Sequence, residues 1–168
     1  MVDAGAELVV LDSEHTSNGV RAALAVLLDL EPVAVTDRSA PDWSAQVVEV
    51  RTRVRQARAL LGDPGELLDA LGDPTLARLC GLIERLTERQ TPVLLGGGTA
   101  TAAAALLVVR RHATADQWLL AGSTPDDGHA QTALSSAGLT PLLDLGLGAT
   151  GADLAVGLVR AGLEAMGA

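Results

Sequence analysis

Four short, continuously apolar runs divide the chain. They are Glu7–Asp12, Thr91–Leu95, Gln117–Ala121 and Pro141–Leu145, each bounded by Gly, Pro, Ser or Asp. Runs this short, apolar on both faces, suit strands buried on both sides of a parallel sheet. Helical patterns lie between them. Gly19–Leu28 is rich in Ala, Leu and Val. Ser44–Leu61 sets Val47, Val50, Val54, Ala57 and Leu61 on one face, with Arg51, Arg55 and Arg58 elsewhere. Asp73-Pro74 places an N-cap before a proline at the first helical position and leads into Leu76–Arg89. Thr99–Arg111 and Asp126–Ala137 follow, the second closing on Gly138 as a C-cap. A last helix is predicted from Thr150 to Met166.

The order is strand and helix, a helical insertion, then strand and helix three times. It predicts an α/β fold: a three-layer, Rossmann-like parallel sheet of about four strands, with right-handed crossovers and helices on both faces. The insertion, about residues 32–90, holds two or three helices. The 168 residues fit a single domain over 1–168 that needs no disulfide or metal staple. There is no internal repeat and no low-complexity tract.

Composition narrows the function classes. Aromatic residues are 1% of the chain, so the core must be Leu, Val and Ala, and base-stacking platforms are nearly excluded. A net charge of -9 argues against nucleic-acid binding. All 12 basic residues are Arg, and without Lys neither Schiff-base chemistry nor a complete phosphate-binding Walker loop is possible. Cys80 is the only cysteine, which excludes an internal disulfide and a Cys-rich zinc site. The three His lack spaced carboxylates, so no metal site is expected. The glycines do not form a dinucleotide fingerprint, and no cofactor is expected. The first residues lack a signal-peptide pattern, and Ala100–Val109 is too short to span a bilayer. These features predict a soluble cytoplasmic protein that binds neither membrane nor nucleic acid.

In such a sheet ligands sit beyond the carboxyl ends of the strands. Four small, Gly-rich segments fall there: Asp12–Gly19, Gly96–Thr99, Gly122–His129 and Gly146–Gly151. Each opens a helix, whose free N–H groups and dipole favour an anion. The candidate ligands of a small phosphate-bearing molecule are Ser17, Asn18, Gly96, Gly97, Gly98, Thr99, Gly122, Ser123, Gly148, Thr150 and Gly151. The competing reading is structural, because α/β folds use Gly and Ser in tight loops anyway. Glu14 is the candidate general base, a role that requires burial to raise its pKa; a solvated loop carboxylate is the alternative. His129 suits a helix start and His112 a helix end, with no catalytic role for either.

The order of these loops resembles the C-terminal half of the nicotinate-nucleotide:dimethylbenzimidazole phosphoribosyltransferases, the CobT family of cobalamin lower-ligand assembly. The family's G-E-M-G-I-G-N-T loop resembles Asp12 to Asn18, with Glu14 and Asn18 matching. Its P-V-[LV]-L-D-G-[FY]-I-x-T-A-A-A-L segment resembles Pro92 to Leu106, with Gly96 in place of the Asp and Gly98 in place of the aromatic residue. Its E-P-G-H and A-L-G-L-x-P-L-L-D-L-G-L segments resemble Asp127-Gly128-His129 and Ala137 to Leu147.

The resemblance implies a reaction in which a base deprotonates an azole nitrogen while nicotinate leaves the ribose. The family's catalytic Glu lies in a G-E-G-[ST]-G-A loop, which here reads Gly148-Ala149-Thr150-Gly151-Ala152 without a Glu. A phosphate-contacting Lys of the family falls near Gln46. Two functions follow. One is a non-catalytic or partner subunit that binds a phosphate-bearing nucleotide or azole. The other is an active phosphoribosyltransferase that uses Glu14. The apolar terminal helix and the insertion helices predict a homodimer, or a hetero-oligomer with a complementary chain.

Overall fold

The computed structural model describes residues 8–166. The elements run β1 (Val9–Leu11), α1 (Asn18–Leu27), α2 (Trp43–Arg58), α3 (Pro64–Leu71), α4 (Pro74–Glu88), β2 (Val93–Leu95) and α5 (Thr99–Arg111). A 3-10 turn at Ala115–Trp118 then leads to β3 (Leu119–Thr124), α6 (Gly128–Ser136), β4 (Pro141–Gly146) and α7 (Gly148–Ala165). The four strands form one parallel sheet in the order β1-β2-β3-β4. The α/β alternation and all four strands therefore stand as the sequence predicts. The first strand was expected from Glu7, which lies outside the described residues.

Local chemistry sets the element ends. Asp63 and Asp73 accept the N–H groups of Glu66 and Leu76, each ahead of a proline at the first helical position of α3 or α4. Gly72 closes α3 at φ 62°, a conformation that costs glycine least. Three boundaries differ from expectation. Residues 115–118 coil into the 3-10 turn, so β3 starts later and runs on to Thr124. Asp127 caps α6 through His129 and Ala130, which moves its start to Gly128. α7 begins at Gly148, directly after β4, with no Gly-rich loop between them.

The two faces of the sheet are covered unequally. With strands in sequence order, right-handed crossovers put α1 to α6 on one side. There α1, α4, α5 and α6 pack together over Leu11, Val93, Leu95, Leu119 and Ala121. α5 is apolar all round and is buried from Ala100 to Val108, as a central helix must be. The insertion forms α2, α3 and α4, whose Val50, Val54, Leu71, Leu76 and Ile83 join this core. Among the described residues only α7 crosses to the other face, where it contacts β2, β3 and β4.

Candidate functional site

The carboxyl ends of the strands bring the starts of α1, α5, α6 and α7 to one rim. Ser17 is the N-cap of α1, its Oγ accepting from the N–H groups of Gly19 and Val20 at 3.1 Å each. The same hydroxyl donates to Asp73 Oδ2, while His15 Nε2 donates to that oxygen at 3.0 Å. Asp73 also accepts from Leu76 N–H at 2.7 Å. Burial pushes the Asp73 carboxyl up, but hydrogen bonds from Ser17, Leu76 and His15 outweigh it and hold the group below the usual carboxylate range. Asp73 thus clamps the β1–α1 loop to the insertion. Sequence reasoning found only its capping role.

Asn18 is also held by the insertion. Its Nδ2 donates to Glu49 at 2.6 Å, and its Oδ1 accepts from Arg21 at 3.2 Å. Arg21 also donates to Gln46 Oε1 at 3.2 Å. A guanidinium therefore stands beside residue 46, where the family resemblance places a lysine. Arg21 was missed because nothing in local spacing links it to a residue 25 positions away. Arg21, Thr16, Asp37, Asp127 and His129 line a groove of about 200 Å³. His129 spans it, donating from Nε2 to the Ala34 carbonyl at 2.8 Å.

The Gly96–Gly98 loop lies against the end of β1. The Asp12 carboxyl group occupies the space of a side chain on Gly96, and Asp12 Oδ1 accepts from Gly98 N–H at 3.0 Å. Gly98 itself presses on the Ser13 carbonyl, where a Cβ would collide. The Gly98 N–H is thus already engaged by a carboxylate, which corrects its assignment as a free phosphate donor. Thr99 begins α5 and is buried.

Gly122 is a further correction. It lies inside β3, where a Cβ would come within 3.2 Å of Ala155 on α7. Its role is close helix–sheet packing, and no loop opens there. Ser123 is also within the strand, fully buried, with Oγ beside Gly97 and pressed against Gly151. Ser123 Oγ and Thr101 Oγ1, in the first turn of α5, are buried without a hydrogen-bond partner among the described residues. Gly148, Thr150 and Gly151 form the first turn of α7 instead of a loop. Gly97, Ser123 and Gly151 pack together where the loop after β2, the end of β3 and the start of α7 meet.

Glu14 is exposed on the β1–α1 loop, so the burial expected of a general base is lacking. Among the described residues no group of three or more His, Cys, Asp or Glu is placed to hold a metal ion, and no helix is long and apolar enough to cross a membrane. Cys80, on the buried face of α4, is enclosed in the core, and burial, with Glu84 nearby, pushes its thiol up to about 12.

A parallel sheet with helix starts gathered at its carboxyl rim defines a Rossmann-like α/β class, and comparison with known proteins narrows it. A family model described as phosphoribosyltransferase matches residues 3–168. The chain belongs to this family, as a CobT-like domain that corresponds to the C-terminal half. It is similar to the nicotinate-nucleotide–dimethylbenzimidazole phosphoribosyltransferase of Mycobacterium ulcerans, with 35% identity over 98% of this chain and 48% of the relative. The corresponding Streptomyces avermitilis protein is 37% identical over 95% of this chain and 45% of its own. The crystal structure of CobT from Thermus thermophilus superposes with a TM-score of 0.72 and 32% identity, covering 95% of this chain and 50% of that one. The chain therefore spans about half the length of these relatives.

Proposed function

We propose that this domain binds a phosphate-bearing nucleotide or azole ligand at the carboxyl rim and serves cobalamin lower-ligand metabolism as a partner subunit without a transferase base of its own. The observation that carries this reading is the start of α7. Gly148 to Ala152 hold no carboxylate, and Gly151 is packed against Ser123 with no space for a side chain. Binding is supported by the helix starts, by the Arg21 guanidinium and by the buried hydroxyls of Thr101 and Ser123, which a ligand or water could satisfy.

Without a positioned base, transfer is expected to be roughly 10²–10⁴-fold slower than with one. The test is a pair of measurements on the purified chain. Thermal shift with nicotinate mononucleotide, dimethylbenzimidazole or inorganic phosphate reads binding; ligand at 100 times Kd should add about 2.7 kcal/mol. A transferase assay with the first two compounds, beside Glu14→Gln, reads chemistry. Turnover abolished by Glu14→Gln would make this an active phosphoribosyltransferase with Glu14 as the base. Turnover untouched by that variant would place the base elsewhere.

A further inference from the structure

We infer that Asn18-Gly19 is a self-modification site, at which the main chain closes on the Asn18 side chain and expels ammonia. The contacts of Ser17 and Glu49 hold this reaction shut until the start of α1 lifts from the insertion. Asn18 is the sole asparagine of the chain, and glycine follows it. Asparagine is most labile before glycine, because a residue without a Cβ leaves its own N–H unhindered and its backbone free to turn. The fold nonetheless requires the pair. A Cβ at residue 19 would lie 2.6 Å from the Leu71 carbonyl oxygen and 2.7 Å from Asp73 Cβ, so the approach of α1 to the insertion admits only glycine. The Asn18 amide in turn bridges Glu49 and Arg21, donating to the first and accepting from the second. Packing thus imposes the labile pair, and the surrounding structure supplies the restraint.

The chemistry needs only water and a base-catalysed proton loss. The Gly19 nitrogen gives up its proton and attacks Asn18 Cγ. An N–Cγ bond forms, the Cγ–Nδ2 bond breaks, and Nδ2 leaves as ammonia with a proton from solvent. Water then opens the cyclic imide. Attack at Cγ leaves aspartate; attack at the main-chain carbonyl of residue 18 leaves an isoaspartyl link, with an extra carbon in the main chain. In the folded chain both reacting groups are held. Gly19 N–H donates to Ser17 Oγ at 3.1 Å, and Ser17 is itself tied to Asp73. Asn18 Nδ2 donates to Glu49 Oε2 at 2.6 Å. Both residues lie in the first turn of α1, and the imide ring requires a ψ far from the helical value. Reaction therefore proceeds from the opened state, and its rate follows the population of that state. The isoaspartyl product is a one-way change, because the extra carbon displaces Gly19 and Val20 from the Ser17 hydroxyl that caps them.

The inference does not rest on ligand binding or turnover, and its readout is the mass and linkage of one peptide. The purified chain is incubated at pH 8 with and without guanidinium chloride, cleaved after arginine and read by mass spectrometry. The peptide ending at Arg21 holds Asn18 and no glutamine, so any mass gain from amide loss belongs to Asn18. Modification of the native protein should be roughly tenfold slower than in guanidinium, or slower still. Ser17→Ala removes the acceptor for Gly19 and Val20 and should raise the native rate about fivefold or more. Glu49→Ala, which frees Asn18 Nδ2 without touching the cap, should raise it in the same direction. Both variants are checked for folding by circular dichroism. Ser39→Ala, which removes an exposed hydroxyl bonded to Asp37, should leave the rate unchanged. The isoaspartyl fraction, separated by chromatography, should melt below the unmodified protein. A native rate equal to that in guanidinium would overturn the inference. So would folded Ser17→Ala and Glu49→Ala proteins modified no faster than wild type, or an isoaspartyl fraction that melts with the unmodified chain.

Discussion

The carboxyl group of Asp12, at the end of β1, fills the space that a side chain on Gly96 would need at the end of β2. The family segment resembling Pro92 to Leu106 carries Asp at that position, whereas here a carboxylate reaches the same point from the neighbouring strand. The two residues cannot both carry side chains without repacking. Gly96→Asp is expected to destabilise the protein by about 2 kcal/mol through overpacking. Adding Asp12→Gly should restore at least half of that loss. Urea unfolding of the two single variants and the double variant closes the cycle; additive effects would show that Asp12 and Gly96 do not share the space.

Asp73 supports an acid-stability prediction. Its folded pKa is depressed, so its contribution is complete above the unfolded value, near 4, and is lost as pH falls through the lower folded value. Asp73→Ala removes the α4 cap and leaves the Ser17 hydroxyl without its buried partner. A loss of about 2–3 kcal/mol at pH 7 is expected. In urea titrations, the difference between wild type and variant should narrow steadily below pH 4. A constant difference down to pH 2 would contradict this account.

Ser123 should behave unlike an ordinary buried hydroxyl. A buried hydroxyl without a partner costs about 1–3 kcal/mol. Ser123→Ala should therefore leave the free protein at least as stable as wild type, by thermal melting. The same variant should lose part of the stabilisation that nicotinate mononucleotide or phosphate confers. A clear drop in the melting temperature of the free protein would mean that Ser123 has a structural partner.

Cys80 is expected to be inert in the folded state. A thiol pushed up to about 12 holds almost no thiolate near neutrality, and its side chain is buried as well. Labelling by a disulfide-exchange reagent at pH 8 should follow unfolding and accelerate with urea. Rapid stoichiometric labelling of the native protein would refute this.

Much of the fold is legible in the chain itself. The four apolar runs mark the strands, although only β2 is buried on both faces as such runs suggest, while Val10 of β1, Leu120 of β3 and Leu142 and Leu145 of β4 stay exposed; the Asp-Pro pair at residues 73–74 fixes the start of α4 through local capping chemistry. The sequence did not reveal which long-range contacts these elements make. Asp12 against Gly96, Asp73 against Ser17, and Arg21 beside Gln46 each join residues from different elements, and loop spacing carries no trace of them. Gly122 reads as a loop residue because a glycine in a tight helix–strand contact has the same local appearance as one in a turn. Periodicity likewise made the strands apolar on both sides, yet only the strand order, with its crossovers all to one face, decided that α7 would stand alone on the other. Local sequence determined the elements through backbone propensity, capping and burial pattern. The tertiary structure decided which polar groups were engaged and which apolar surface was left bare, because both depend on residues far apart in the chain arriving at the same place.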